Sequence, residues 1–143
     1  MIRSTLSAAL FAFCSLALAQ VPNLGALKAQ NPVQVSAEEM QQLVPGAKVM
    51  SKTAAGSTRF WTNKPDGTLS ASSDGRGTTG GRGYPSSASG TWNLDGQGRW
   101  CVKIQWNGPV DDWCRYLFKV GGKYYGYSRL QDDALGFEFE LSH

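Results

Sequence analysis

In Trp100-Cys101-Val102-Lys103-Ile104-Gln105-Trp106 every second residue is bulky and apolar, the two-residue period of a strand with one buried face. Short segments of this kind, separated by turn residues, recur along the chain from residue 47 onward. They predict strands at 47–52, 58–62, 68–72, 90–94, 99–106, 112–120, 123–128 and 136–141. Pro65-Asp66-Gly67, Asp95-Gly96-Gln97-Gly98 and Gly121-Gly122 each provide the positive φ or preset geometry that reverses a strand. Eight strands with mostly short connections describe an all-β domain. The expected architecture is an antiparallel meander, either closed into a calycin- or lipocalin-like barrel or folded as a sandwich. Closure has a physical motive, because an open sheet of aromatic strands leaves two edges able to pair with other chains.

Ahead of the strands, Ser36-Ala37-Glu38-Glu39 forms a capping box that predicts a short helix running to about Leu43, ended by Pro45-Gly46. Residues 20–35 contain Pro22 and Pro32 among scattered polar residues and read as an arm without regular structure. Residues 1–19 carry Arg3, an apolar stretch over 6–18 and the closing Ala17-Leu18-Ala19, the three parts of a secretory signal peptide. The domain plan is therefore a signal at 1–19, an arm at 20–35 and one β domain at 36–143, with a periplasmic or secreted location expected. No later segment is apolar enough to cross a membrane as a helix.

Export decides what the cysteines are. Cys14 leaves with the signal, and Cys101 and Cys114 remain in an oxidising compartment, so a disulfide is expected in preference to a redox or metal role. An antiparallel register in which Cys101 faces Cys114 puts Asn107-Gly108 at the turn and Lys103 opposite Asp112. In that register the cysteines form a non-hydrogen-bonded pair, where side chains approach most closely. Pro109 cannot close the turn with an N–H, so a longer loop using Asp111 remains open. The inward face is also open. Trp100, Val102, Ile104 and Trp106 place the cysteines outside, whereas Cys114, Tyr116, Phe118 and Val120 form the more apolar set of the next strand. A bulge, or a sheet buried on both sides, would reconcile the two patterns.

Charge narrows the partners. Of 14 basic residues Arg3 leaves with the signal, and the remaining 13 stand against 11 acidic ones, too small an excess to imply a nucleic-acid partner. The single histidine, His143, is terminal, which disfavours Ser/His/Asp and Cys/His catalysis and the usual zinc sites. Glu138 and Glu140 share a strand face and would serve a carboxylate hydrolase, but an exposed alternating strand gives the same spacing. No catalysis, cofactor or metal is expected.

Candidate binding residues come from two features. The glycine-rich run from Asp74 to Tyr84 lacks the Walker Lys-Ser/Thr pair and reads as a long connection between strands, or as a rim that carries Arg76, Arg82 and Tyr84 toward an anionic or sugar-like ligand. Aromatic residues Trp92, Trp106, Trp113 and Tyr125, with Trp61, Tyr124 and Tyr127, either line a barrel mouth or fill the core.

The capping-box helix, Asp66-Gly67-Thr68, Gly90-Thr91-Trp92, Trp100-Cys101-Val102, Trp113-Cys114-Arg115-Tyr116 and Gly121-Gly122-Lys123-Tyr124 occur in an order that resembles a family of small exported proteobacterial domains of unknown function. That resemblance covers residues 36–127 and implies a periplasmic or secreted β-rich domain with a paired-cysteine hairpin, without an activity. Ser87-Ala88-Ser89-Gly90 is similar to the Ser-Gly motif of periplasmic lysozyme inhibitors, although Thr91-Trp92 departs from that family's continuation. The expected function is non-catalytic binding of a small ligand or envelope component, with inhibition of a lysozyme-like hydrolase as the alternative.

Overall fold

A computed structural model describes residues 20–76 and 85–143; the signal reading, Arg82 and Tyr84 lie outside the described residues. Two short helices precede or interrupt the strands: α1 (Leu24–Lys28) and α2 (Ala37–Leu43), with β1 (Val33–Gln34) between them. The strands that follow are β2 (Lys48–Lys52), β3 (Thr58–Asn63), β4 (Thr68–Ser73), β5 (Ser86–Leu94), β6 (Trp100–Gln105), β7 (Val110–Val120), β8 (Lys123–Tyr127) and β9 (Gly136–Ser142). Every neighbour pair is antiparallel, β2 pairs with β9, and β7 pairs with both β6 and β8. The eight strands β2–β9 thus close into a barrel, which resolves the choice between barrel and sandwich. β1 is an extra strand beside β7.

The capping box forms as read: Ser36 Oγ accepts from the Glu39 N–H at 3.2 Å, and the Glu39 carboxylate accepts from the Ser36 N–H at 2.8 Å. These bonds, the backbone one first, hold the Glu39 carboxyl below its ordinary range. Met40 of this helix (1 % exposed) and Val44 just past it (fully buried) join Val35, Ala47 and Leu69 in the main core, so α2 covers one end of the barrel. The Asn63 amide donates to the Val44 carbonyl at 3.1 Å and ties that cover to β3.

Cys101 faces Cys114 and the two are disulfide-bonded, with Lys103 opposite Asp112 as the register requires. The turn keeps two central residues, closed by a Trp106 N–H to Pro109 carbonyl bond of 3.0 Å. It is not the expected Asn-Gly geometry: Gly108 has φ +114°, but Asn107 does not have positive φ. Pro109 has no N–H to complete the second bond of a tight primed turn, and it restrains the residue before it. Removing the bridge with Cys101→Ser and Cys114→Ser is expected to cost about 3 kcal/mol, read as a lower melting temperature with the strand spectrum retained. Free thiols in the unreduced protein would contradict the pairing.

The arm is the main correction. Residues 20–35 hold α1 and β1, because Leu24 and Leu27 find a site on the outside of the barrel. Both are fully buried against Phe118, Tyr127 and Ala134, and the Tyr127 hydroxyl donates to the Pro22 carbonyl at 2.8 Å. Asn23 caps α1 by accepting from the Ala26 N–H at 2.8 Å. This satellite core also settles the conflict of faces. Leu117 points into the barrel with the Trp100 set, while Phe118 and its neighbour Tyr116 pack outside with α1. β7 is buried on both sides and keeps an unbroken register with β6, so no bulge is needed there.

Candidate functional site

The strand directions give the barrel two unlike ends. At one, α2 packs over the core; at the other lie the starts of β3, β5, β7 and β9 and the ends of β2, β4, β6 and β8. The second end is called the mouth here. The glycine-rich connection leaves from it, since β4 and β5 pair as far as Ser73 and Ser86.

Between the ends the barrel is filled. Trp61, Trp100, Trp113 and Phe139 pack as a quartet in which every pair of ring centroids lies 5.3 to 6.4 Å apart, in tilted or edge-on arrangements. Three strands contribute these rings at inward positions set by the two-residue period, and β9 supplies the fourth. Trp113 is therefore first a core residue.

Above the quartet, charge enters the mouth. Arg59, two residues before Trp61 on β3, is ion-paired to Asp111 of β7, and the Trp106 indole N–H donates to the same carboxylate at 2.7 Å. The Arg59 guanidinium also lies over the Trp106 ring, 4.9 Å from its centroid. Arg115 is the second cation. Its guanidinium lies 3.6 Å from the Phe137 ring centroid and 4.5 Å from that of Trp113. Burial among these rings lowers its pKa to about 10, with the Asp111 charge opposing the shift, so it remains cationic at neutral pH. Gly126 makes the room: a Cβ there would stand 2.7 Å from the Phe139 ring and 3.0 Å from the Arg115 Cδ. Phe137 and Leu135 are 36 % and 77 % exposed, so apolar surface borders this charge on the β9 side.

The sequence-based candidates do not converge. Trp106 and Trp113 reach the mouth end, but Trp92 sits toward the other end, where its indole N–H donates to the Lys64 carbonyl at 2.8 Å and braces the β3–β4 turn. Tyr125 lies outside, packed on the satellite core with Phe118. Arg76 is exposed at the root of the glycine-rich connection, its N–H bonded to Asp74. Glu138 and Glu140 face away from the barrel interior, and Glu138 is bridged to Lys123 at 2.7 Å. Asp95 approaches Cys101 and Cys114, but the disulfide occupies both sulfurs. Burial pushes the Asp95 carboxyl up, and the bonds from Arg99 and Gln97 together outweigh it and hold the group below its ordinary range as the brace of the β5–β6 turn.

The sequence does not single out Arg59 or Arg115, and it offers Asp111 only as a turn residue or one of several carboxylates. The signal was available in the register: if Cys101 faces Cys114, then Arg115 faces Trp100 and a guanidinium occupies an inward position. The outer surface has its own depression of about 850 Å³, lined by outward residues such as Met50, Phe60, Thr62 and Ser70. It is a shallow groove across β2–β4 and β9, separate from the charges of the mouth. No protein-family model, curated protein or solved structure matches the chain.

Proposed function

We propose that the chain is an exported, non-catalytic binding protein of the bacterial envelope that takes a small or envelope-derived ligand at the mouth of its barrel. The supporting observation is the difference between the two ends: apolar side chains of α2 cover one, while at the other Arg59 and Arg115 are held on aromatic faces and Asp111 is held by Arg59 and the Trp106 indole N–H. Fixed charges on a rigid aromatic floor suit recognition, since their orientation is set before a ligand arrives. The signal reading and a disulfide that persists in oxidising compartments support the location.

Isotope-labelled protein titrated with the low-molecular-weight fraction of an envelope extract is expected to shift the Trp106 and Trp113 indole signals and the Phe137 amide. Shifts confined to Met50, Phe60 and Ser70 would move the site to the outer groove and overturn the mouth as the binding surface. A spectrum unchanged throughout would remove the binding reading.

A further inference from the structure

Arg115 differs from the other inward-facing charges of the mouth, Arg59 and Asp111. Among the described residues it makes no salt bridge, whereas Arg59 is neutralised by Asp111. Lys103 and Asp112 compensate one another on the outside of the barrel, 3.6 Å apart. The inward set of Arg59, Asp111 and Arg115 thus keeps one positive charge without a counter-charge. Taking a cation from water into an aromatic pocket is costly unless an anion or hydrogen-bond acceptors compensate it. Cation–π contact with Phe137, Trp113 and, at 5.7 Å, Phe139 offsets part of that cost through the ring faces. Among the described residues no acceptor meets the N–H edge of the guanidinium, a planar fork of donors.

We infer that Arg115 anchors a carboxylate, so that the mouth takes a small monoanion whose charged group meets the guanidinium edge and whose planar or apolar body lies against Phe137 and Leu135. This rests on the reading of the mouth as the binding site and names the ligand class for it. A single charge is favoured because the inward-facing set of the mouth has one excess cation. A carboxylate is favoured because its two oxygens match the arginine fork. A second donor in the mouth lacks a partner among the described residues: Arg59 Nε is buried and unbonded, although the same guanidinium is paired to Asp111 through Nη1. The aromatic quartet below fills the barrel, so the ligand body rests on the mouth and is not swallowed.

Benzoate is the test probe, with benzamide as its neutral counterpart of the same shape. Benzoate is expected to shift the Arg115 Nε–H and Trp113 indole signals of the whole exported protein saturably, and benzamide is expected not to. Arg115→Met, which keeps an apolar stem on the rings, should weaken benzoate binding by about tenfold or more, the scale of lost hydrogen bonds to a charged group. Arg76→Gln should leave it unchanged. Equal responses to benzoate and benzamide, or full affinity in Arg115→Met, would overturn the carboxylate anchor. Loss of benzoate binding in Arg76→Gln would overturn it too, moving the anchor to the rim. If benzoate is silent while the envelope fraction perturbs the mouth, the carboxylate inference fails and the binding reading stands. If both are silent, both fail.

Discussion

Leu27→Ala is expected to destabilise the protein by about 2–5 kcal/mol, the range for deleting a fully buried leucine, although the residue lies in what reads as a loose arm. A five-residue helix has no stability of its own, so whatever holds α1 comes from docking. The dock is closely made. Leu24 and Leu27 have no exposed surface, the Leu24 N–H bonds to the Ala134 carbonyl at 3.1 Å, and the Gly25 N–H bonds to that of Asp132 at 2.8 Å. A Cβ on Gly25 would stand 3.0 Å from the Asp132 Cβ, so the chain passes close to the β8–β9 connection. Burial raises the Tyr127 hydroxyl pKa to about 12, consistent with a phenol sealed under this arm. Urea denaturation should show a lower midpoint with an unchanged slope. A change below about 0.5 kcal/mol, the size of an ordinary surface substitution, would mean that the arm is not part of the fold.

The arm also bears on the mouth. The β8–β9 connection that α1 grips runs through Ala134 and Leu135 into Gly136 and Phe137, the ring that lies over Arg115. Gly136 has no room for a side chain, since a Cβ would be 2.7 Å from the Tyr127 ring. Packing on the outside of β8 therefore fixes the start of β9 and, with it, one wall of the site. Leu27→Ala is expected to broaden the Phe137 amide signal as well as lower stability.

The parts of the fold that were legible in sequence are those governed by a single period. β6 alternates cleanly because one face meets the core and the other water, and the register came from pairing Cys101 with Cys114 across a two-residue turn. β7 was ambiguous for a physical reason: its two faces meet two cores, so no polar face marks the outside. The arm was illegible because α1 is short and its burial depends on a surface assembled from distant strands. At the site, apolar parity misled. Cys114, Tyr116 and Phe118 look like the inward set until α1 is known to pack on Tyr116 and Phe118, and Arg115 then takes the inward place between Trp113 and Leu117. The aromatic candidates rest on residue type without a reading of place, and Trp92 and Tyr125 lie apart from Trp106.

Gly90→Ala is expected to destabilise the barrel by at least the about 1–3 kcal/mol of ordinary overpacking, and Gly90→Val to unfold it. A Cβ at Gly90 would lie 2.0 Å from the Lys103 carbonyl oxygen and 3.0 Å from the Ile104 Cα. Both are backbone atoms of β6, so no side-chain rotation relieves the clash; the strands must part, breaking the ladder that pairs Gly90 with Ile104. The neighbouring serines provide the contrast. Ser87 and Ser89 point outward and are exposed, so replacing both by alanine should change stability by no more than about 0.5 kcal/mol. This difference separates a structural from a recognition role for Ser87-Ala88-Ser89-Gly90. If the chain inhibits a lysozyme-like hydrolase through this motif, the double serine variant should lose inhibition with its melting temperature intact. If only Gly90 matters, and only to stability, the glycine serves the close approach of β5 to β6. A Gly90→Ala protein as stable as the parent would show instead that the two strands do not approach so closely.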